Sequence, residues 1–326
     1  MIIDSFNRVH DYLRISLTDM CNLRCFYCMP EEEYDFTPAS RLMQQDEIFA
    51  IAKIFVENGV KKIRLTGGEP FVRKDAGKII QSLSSLGVQL AVTTNGTRLH
   101  EFGDVLEASQ IHSINISLDT LSAEKFKFIT RRDQFLIVKQ NIETFINNGF
   151  TVKINVVVMK DFNDSEIVDF IKWTKKIPVH VRFIEFMPFA GNRWTSNKVV
   201  SMDEILQTIG KQFEFFSQKG EKNDTEKKYM IPGHEGSFGI ISTMTKPFCE
   251  GCNRMRLTAD GKLKNCLFSD GETDLLTPFR NGDNILPLIA ENIKGKAKEL
   301  GGQFTSNLEA VEAKLIHNRS MITIGG

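Results

Sequence analysis

The sequence predicts an α/β fold made of six strand–helix repeats, followed by a smaller region of different character. Short β-branched apolar runs alternate with amphipathic segments from Tyr12 to about Phe213, and this rhythm is typical of parallel strands joined by helical crossovers. Six repeats are too few for a closed eight-stranded barrel, so a partial barrel and a doubly wound sheet both fit the pattern. The rhythm stops after Phe213, which divides the chain into a repeat domain, residues 1–216, and a C-terminal region, residues 217–326.

Each element of the repeat domain is predicted from residue type and spacing. Strands are predicted where short runs are apolar and β-branched, at residues 12–18, 62–66, 88–94, 111–118, 152–159 and 179–187. Helices are predicted where apolar residues recur every three or four positions, at residues 45–57, 76–86, 101–108, 135–147, 165–176 and 202–213. In the C-terminal region, the charged segment 219–229 predicts a solvated loop, residues 238–242 a short strand, and Asp260-Gly261 the turn of a hairpin.

The six cysteines fall into two groups of three, and this is the strongest compositional signal. The first group follows the first predicted strand with the spacing Cys-x3-Cys-x2-Cys, at Cys21, Cys25 and Cys28. The second group is Cys249, Cys252 and Cys266. Thiolates select soft or borderline metals, so zinc and iron–sulfur clusters are the candidates for both groups. A closed structural site takes four protein ligands, so three thiolates leave one metal position open for chemistry.

Composition and charge exclude several classes of function. The chain has 326 residues, of which 41% are hydrophobic and 25% charged, as in ordinary globular proteins. Lys plus Arg and Asp plus Glu both number 41, so no overall charge drives binding to nucleic acid or to an anionic membrane. The N-terminus has no signal or transit pattern and no run has the length of a membrane span, so we expect a cytoplasmic protein without a membrane partner. A reducing cytoplasm favours metal binding over disulfides for grouped cysteines.

Single cations interrupt the apolar strands at Arg14, Arg64 and Lys153. Helices cover a parallel sheet, so an ionised side chain in such a strand needs a carboxylate partner or a ligand. We expect these cations to line the interior and to bind a polyanion, although pairing with Asp119 or Glu185 is the alternative. The pattern does not fix the face of Arg182.

Ligands of parallel α/β folds bind at the carboxyl ends of the strands, where this sequence places its unusual turns. The second predicted strand runs into Thr66-Gly67-Gly68-Glu69-Pro70, and paired glycines allow a ligand to approach the backbone and leave amide groups free to bind it. In the C-terminal region, Arg254 and Arg256 alternate directly after Cys252, which places two guanidinium groups beside the open position of the second site.

Together these segments resemble the GTP 3′,8-cyclases (the molybdenum cofactor biosynthesis protein A family), which belong to the radical S-adenosylmethionine (SAM) superfamily and open molybdenum cofactor biosynthesis. The resemblance runs from about Asp11 to the last residue, through both cysteine groups at family spacing, Leu13-Arg14-Ile15-Ser16, Thr18-Asp19, residues 65–70, Ser117-Leu118-Asp119, residues 183–187, residues 249–261 and Ile324-Gly325-Gly326. It implies an incomplete (β/α)6 TIM-like barrel of the radical SAM type. A smaller C-terminal α+β region would carry a second cluster and cover the barrel mouth.

The resemblance also implies roles for individual residues. The first cysteine group would hold a [4Fe-4S] cluster that binds SAM, and the second group a [4Fe-4S] cluster whose open iron meets the guanine. The implied SAM-binding residues are Tyr27, Gly68, Ser117 and Met187. The implied GTP-binding residues are Arg14, Arg64, Thr93, Lys153, Asn253, Arg254, Met255 and Arg256. Arg256 is the candidate catalytic residue, as a hydrogen or proton donor, and the tail residues Gly325 and Gly326 would reach into the active site.

The implied partners are GTP, SAM and an electron donor such as flavodoxin or ferredoxin, and we expect a homodimer. Two other functions compete with this interpretation. A radical SAM enzyme with an auxiliary cluster could modify a peptide, but the buried strand cations would then have no anion to bind. A zinc-stapled binding module would use the same cysteines without any redox chemistry.

Overall fold

The computed structural model describes residues 1–29, 34–221, 223–304, 307–312 and 316–325. Its strands are β1 Tyr12–Ser16, β2 Lys62–Thr66, β3 Gln89–Thr94, β4 Ser113–Ser117, β5 Thr151–Val158, β6 His180–Glu185, β7 Phe216–Ser217, β8 Lys227–Met230, β9 Ser237–Ile241, β10 Arg254–Leu257, β11 Lys262–Lys264 and β12 Thr273–Asp274. Its α-helices are α1 Gln45–Glu57, α2 Ala76–Ser84, α3 Gly103–Ala108, α4 Ala123–Thr130, α5 Phe135–Asn147, α6 Ile167–Trp173, α7 Met202–Gly210, α8 Leu276–Arg280, α9 Leu286–Lys294 and α10 Met321–Ile324.

All twelve described strands form one sheet in the order β12-β11-β10-β1-β2-β3-β4-β5-β6-β9-β8-β7. The six predicted strands, β1 to β6, are confirmed and lie parallel in chain order. In the part of the chain that the structure describes, β1 pairs with β10 and β6 pairs with β9, so the six-stranded array is open rather than closed on itself. The C-terminal region therefore extends the sheet at both edges and leaves neither edge of the array unpaired.

Side chains alternate between two environments along each strand, as the pleat requires. On β5, Val152, Ile154, Val156 and Val158 are buried in the apolar core that the sheet shares with the helices. Lys153 and its neighbours of the same parity point to the other face, which is the inner face of the array. The core thus occupies the space between sheet and helices, and polar residues are left to line the interior.

Two features differ from the sequence-based expectations. The segment 219–229, predicted as a solvated loop, ends in β8, which pairs antiparallel with β9. The additional helix α4 lies between β4 and β5, where its Ser122 cap accepts a hydrogen bond from the backbone amide of Lys125. The hairpin predicted at Asp260-Gly261 is confirmed as β10 and β11. No helix in the described ranges has both the length and the apolar character needed to cross a bilayer.

Candidate active site

The first cysteine group lies on a loop that the fold fixes from two sides. On one side, the turn after β2 donates backbone hydrogen bonds from Gly68 to Thr18 (2.7 Å) and from Glu69 to Met20 (2.8 Å). On the other side, the loop amides of Arg24 and Phe26 donate to the last carbonyls of α4, at 2.8 and 3.1 Å. Backbone hydrogen bonds therefore hold the loop between the turn after β2 and the end of α4.

The paired glycines pack against this loop, and the Gly68 amide, which was expected to be free for a ligand, donates to the Thr18 carbonyl oxygen instead. A Cβ atom at Gly68 would lie 2.4 Å from the Met20 carbonyl oxygen and 2.6 Å from that of Asp19. A Cβ atom at Gly67 would lie 2.5 Å from the Thr18 carbonyl oxygen. Only glycine fits this close approach, so the motif positions the cysteine loop.

The three thiols of the first group are largely buried, and they lie close enough together for each to affect the ionisation of the others. Burial, and then the nearby Cys28 and Cys21 thiols, raises the pKa of Cys25 well above its usual value. Burial likewise raises the pKa of Cys21 to about 11. Yet no three His, Cys, Asp or Glu side chains among the described residues enclose a site for a single ion. Buried thiols of this kind ionise only with positive charge beside them, which a bound metal centre would supply.

Two buried carboxylates lie beside the loop. Glu69 accepts hydrogen bonds from the Asn95 amide (2.6 Å) and the Thr94 hydroxyl (2.8 Å), and burial raises its pKa to about 7. Asp119 accepts a 2.5 Å bond from the Tyr27 hydroxyl, and burial raises its pKa to about 6. Among the described residues, neither carboxylate forms an ion pair with a cation of the strands. The alternative that Asp119 neutralises one of these strand cations is therefore not supported.

The second cysteine group lines a cavity of about 530 Å³ on the inner face of the sheet. Cys252 Sγ accepts hydrogen bonds from Lys296 Nζ (3.3 Å) and an Arg254 guanidinium nitrogen (3.4 Å). Burial opposes ionisation of this thiol, but the two cations outweigh it and lower the pKa of Cys252 to about 6. Arg8 donates to the Cys249 carbonyl oxygen (2.9 Å), which ties the N-terminal segment to the same loop. The donors favour a thiolate here, as a metal or cluster ligand must be.

The cavity is strongly cationic. Its described lining includes four carboxylates, Asp11, Glu221, Asp224 and Glu226, and nine cationic side chains, Arg14, Lys61, Lys62, Arg64, Lys153, Arg182, Lys228, Arg254 and Arg256. In a chain with no net charge, this local excess indicates a site for an anion of high charge.

The strand register explains how the arginines meet. Arg14 on β1 stands directly between Arg64 on β2 and Arg256 on β10. Among the described residues, Arg64 donates to the Tyr12 hydroxyl, the Val92 carbonyl (3.1 Å) and the Thr93 hydroxyl (3.2 Å), which are uncharged oxygens. Its guanidinium is thus oriented by the protein while its charge stays available to a ligand.

Arg182 is one of the residues whose place the sequence did not fix. It lines the cavity, and its Nε atom lies 3.7 Å from a carboxylate oxygen of Glu226. Burial opposes ionisation of Glu226, but the hydrogen bond from His180 and the charge of Arg182 hold its pKa at about 2. Gly239 makes room for this carboxylate, because a Cβ atom there would lie 3.1 Å from it. Glu185 has another environment, since it accepts the Met202, Met244 and Thr245 amides.

The sequence-predicted site residues divide into three sets. The cavity is lined by Arg14, Arg64, Thr93, Lys153, Met187, Asn253, Arg254, Arg256 and the second cysteine group. Met255 is fully buried in the core on the opposite face of β10. The first cysteine group, Tyr27, Gly68 and Ser117 lie at the carboxyl ends of the strands, outside the lining of this cavity. Tyr27 of the first cysteine loop and Cys249 and Cys266 of the second nevertheless pack against one shared apolar cluster.

The C-terminal tail enters the same region. Arg256 donates a 2.6 Å hydrogen bond to the Gly325 carbonyl oxygen, and a Cβ atom at Gly325 would lie 2.7 Å from the Thr66 hydroxyl. Arg319 anchors the tail through bonds of 2.9 Å to each oxygen of Asp260. Gly326 lies outside the described residues.

Comparison with known proteins identifies the family. The Radical SAM superfamily model matches residues 15–174, and the Molybdenum Cofactor Synthesis C model matches residues 179–301. The GTP 3′,8-cyclase of Peptoclostridium acidaminophilum is 40% identical over 100% of this chain and 98% of its own. The mitochondrial GTP 3′,8-cyclase of Arabidopsis thaliana is 46% identical over 100% of this chain and 84% of its own. The chain spans 51% of human molybdenum cofactor biosynthesis protein 1, at 43% identity.

The structural comparison agrees on the fold. Streptococcus suis SuiB bound to its precursor peptide SuiA aligns with a TM-score of 0.59 at 14% identity, over 89% of this chain and 67% of that one. This likeness shows the radical SAM fold alone, which confirms the partial-barrel prediction over the doubly wound alternative. The chain belongs to the GTP 3′,8-cyclase family of radical SAM proteins.

Proposed function

We propose that this protein is a GTP 3′,8-cyclase. A 5′-deoxyadenosyl radical made from SAM removes hydrogen from C3′ of GTP, and the sugar carbon radical then adds to C8 of guanine. One further electron from the reductant and one proton complete the 7,8-dihydro product. The product is (8S)-3′,8-cyclo-7,8-dihydroguanosine 5′-triphosphate, in the first step of molybdopterin biosynthesis. The observation that carries this proposal is the cationic cavity with a three-cysteine group in its wall.

The two cysteine groups would hold the cofactors. Cys21, Cys25 and Cys28 would bind a [4Fe-4S] cluster and leave one iron to SAM, with Tyr27, Gly68, Ser117 and Met187 around the bound SAM. When bound, that cluster supplies the electron for reductive cleavage of SAM. Cys249, Cys252 and Cys266 would bind a second [4Fe-4S] cluster with an open iron toward the guanine. The apolar cluster shared by the two loops supports a single chamber between them.

The cations of the inner face would bind the triphosphate. Arg14, Arg64 and Arg256 stand side by side across three strands, and Lys153 and Arg182 line the same cavity. Burial first, and then repulsion from Arg256 and the neighbouring arginines, lowers the pKa of Arg14 well below its usual value, so a bound polyanion would offset this cluster of like charges. Thr93, Asn253, Arg254 and the backbone of Met255 would complete the GTP site.

Arg256 is the proposed catalytic residue, as a hydrogen or proton donor during reduction of the cyclised nucleotide. Arg256 lines the cavity, and its guanidinium also donates to the Gly325 carbonyl oxygen of the tail. The bond to Gly325 supports a role for the tail in closing the site, and Gly326 is proposed to take part with it. We further propose that the enzyme is a cytoplasmic homodimer reduced by flavodoxin or ferredoxin.

The proposal is tested by anaerobic incubation of the reconstituted enzyme with SAM, dithionite and GTP, followed by mass spectrometry. We expect 5′-deoxyadenosine and a cyclised GTP isomer to appear together, and neither to appear when ATP replaces GTP. Deoxyadenosine formation that is indifferent to GTP would reject the cyclase and favour the peptide-modifying alternative. A colourless protein with about one zinc per cysteine group would reject both enzymes.

A further inference from the structure

The carboxyl end of α4 forms a surface over the first cysteine loop. Its carbonyls at Ile129 and Thr130 accept the loop amides of Phe26 and Arg24. Phe128, 66% exposed, presents its ring to solvent on this end of the helix. The Phe128 ring centroid lies only 6.1 Å from that of Phe26, which is the neighbour of Cys25 in the chain. One aromatic contact thus separates the protein surface from the proposed SAM cluster loop.

This surface is also cationic. Residues 125–132 contain four Lys or Arg side chains and no carboxylate. Lys125 pairs with Glu166 at 2.7 Å and Lys127 with Asp133 at 3.0 Å, so their charges are partly offset. Arg131 and Arg132, at the end of the helix, are both exposed. An exposed aromatic side chain followed three and four residues later by exposed arginines fits a partner with an acidic rim and an apolar centre.

We propose that Phe128, Arg131 and Arg132, here called the α4-end surface, dock an acidic one-electron carrier protein. The inference rests on the proposed function, because in that chemistry the cleavage of each SAM consumes one external electron. The carrier is oxidised by one electron, and the first cluster is reduced by the same electron, which then breaks a carbon–sulfur bond of SAM. Docking here would bring the carrier's redox group close to the Phe128–Phe26 contact, an aromatic route from the surface to the cysteine loop.

Direct binding tests the surface without reference to turnover. The reconstituted enzyme is titrated with oxidised flavodoxin, an acidic flavoprotein, by anaerobic calorimetry at low and moderate salt. The double variant Arg131→Glu/Arg132→Glu and the single variant Phe128→Ser are each expected to weaken binding about tenfold or more. The matched control is Lys175→Glu/Lys176→Glu, which reverses two adjacent exposed cations that follow α6 and precede β6, at the opposite end of the strands.

Turnover with two reductants separates docking from catalysis. Deoxyadenosine formation driven by flavodoxin and its NADPH reductase should fall about tenfold in both α4-end variants, since encounter with an acidic partner depends on these charges. Formation driven by dithionite should remain at the parent rate, because a small reductant needs no docking surface. Equal flavodoxin affinity in the α4-end variants, the control and the parent would overturn the proposal, as would a parent that binds no flavodoxin. If the parent enzyme is inactive with dithionite and GTP, the proposed function is rejected. The calorimetry would still test whether the α4-end surface binds flavodoxin.

Discussion

Replacing Gly68 by Ala should remove the first cluster and spare the second. The added Cβ atom would lie 2.4 Å from the Met20 carbonyl oxygen, whereas an ordinary contact needs about 3.4 Å or more. The atoms that the Cβ atom would approach are backbone carbonyl atoms of Asp19 and Met20 in the cysteine loop, so the loop must move by about 1 Å. This movement must stretch the hydrogen bonds from Gly68 to Thr18 and from Glu69 to Met20. Overpacking and weakened hydrogen bonds together destabilise this loop by roughly 2–5 kcal/mol.

The assay is anaerobic iron and sulfide analysis of the reconstituted variant beside a matched control. Gly77→Ala is that control, because its Cβ atom would meet only a Val105 methyl at 4.0 Å within a helix. The proposed two clusters contain about eight irons, so Gly68→Ala should retain about four and lose SAM cleavage. Gly77→Ala should retain all of them and be as stable as the parent or slightly more stable. Full iron content in Gly68→Ala would refute the packing explanation of this motif.

Three further predictions address the cavity and the N-terminal segment. Arg64→Met should raise KM for GTP by about 10- to 100-fold, as loss of a charged hydrogen-bond donor implies, and unchanged KM in steady-state kinetics would contradict its placement. Arg256→Ala should keep the iron content of the parent and stop product formation, and retained turnover by mass spectrometry would refute its catalytic role. His10 is buried, and burial first and then Lys296 lower its pKa to about 4, so the folded state prefers neutral His10. Stability should therefore be full above pH 6.5 and fall by up to about 3 kcal/mol as the pH drops from 6.5 to 4; anaerobic urea unfolding should show this loss, and His10→Gln should reduce it.

The repeat domain was largely predictable because its physical signals are local. The apolar runs and the alternation of residues along them suffice to place Arg14, Arg64 and Lys153 on the inner face. The sequence did not show which face Arg182 occupies, because its parity was compared with that of Met187, and Met187 lies two residues beyond the end of β6. The pairing of β6 with its neighbours was needed to place Arg182 on the inner face. Register is a property of neighbouring strands, which a single segment does not contain.

The missed residues depend on long-range contacts. Glu226 belongs to a charged, unpatterned segment, and only the pairing of β8 with β9 brings it against Arg182 and Gly239. Lys296 lies two residues after the end of α9, and the fold brings its ammonium group to the Cys252 thiol. The Gly67-Gly68 motif was recognised from the sequence, but its packing role was missed, because the atoms that it approaches belong to a loop about 50 residues earlier in the chain.

The central claim is that one chamber holds GTP so that C3′ of its ribose meets the radical made from SAM. The most direct test is turnover with GTP deuterated at C3′, followed by mass spectrometry of the 5′-deoxyadenosine. The account predicts one deuterium transferred into deoxyadenosine, together with the cyclised product. Deoxyadenosine without deuterium, formed at the same rate, would contradict it.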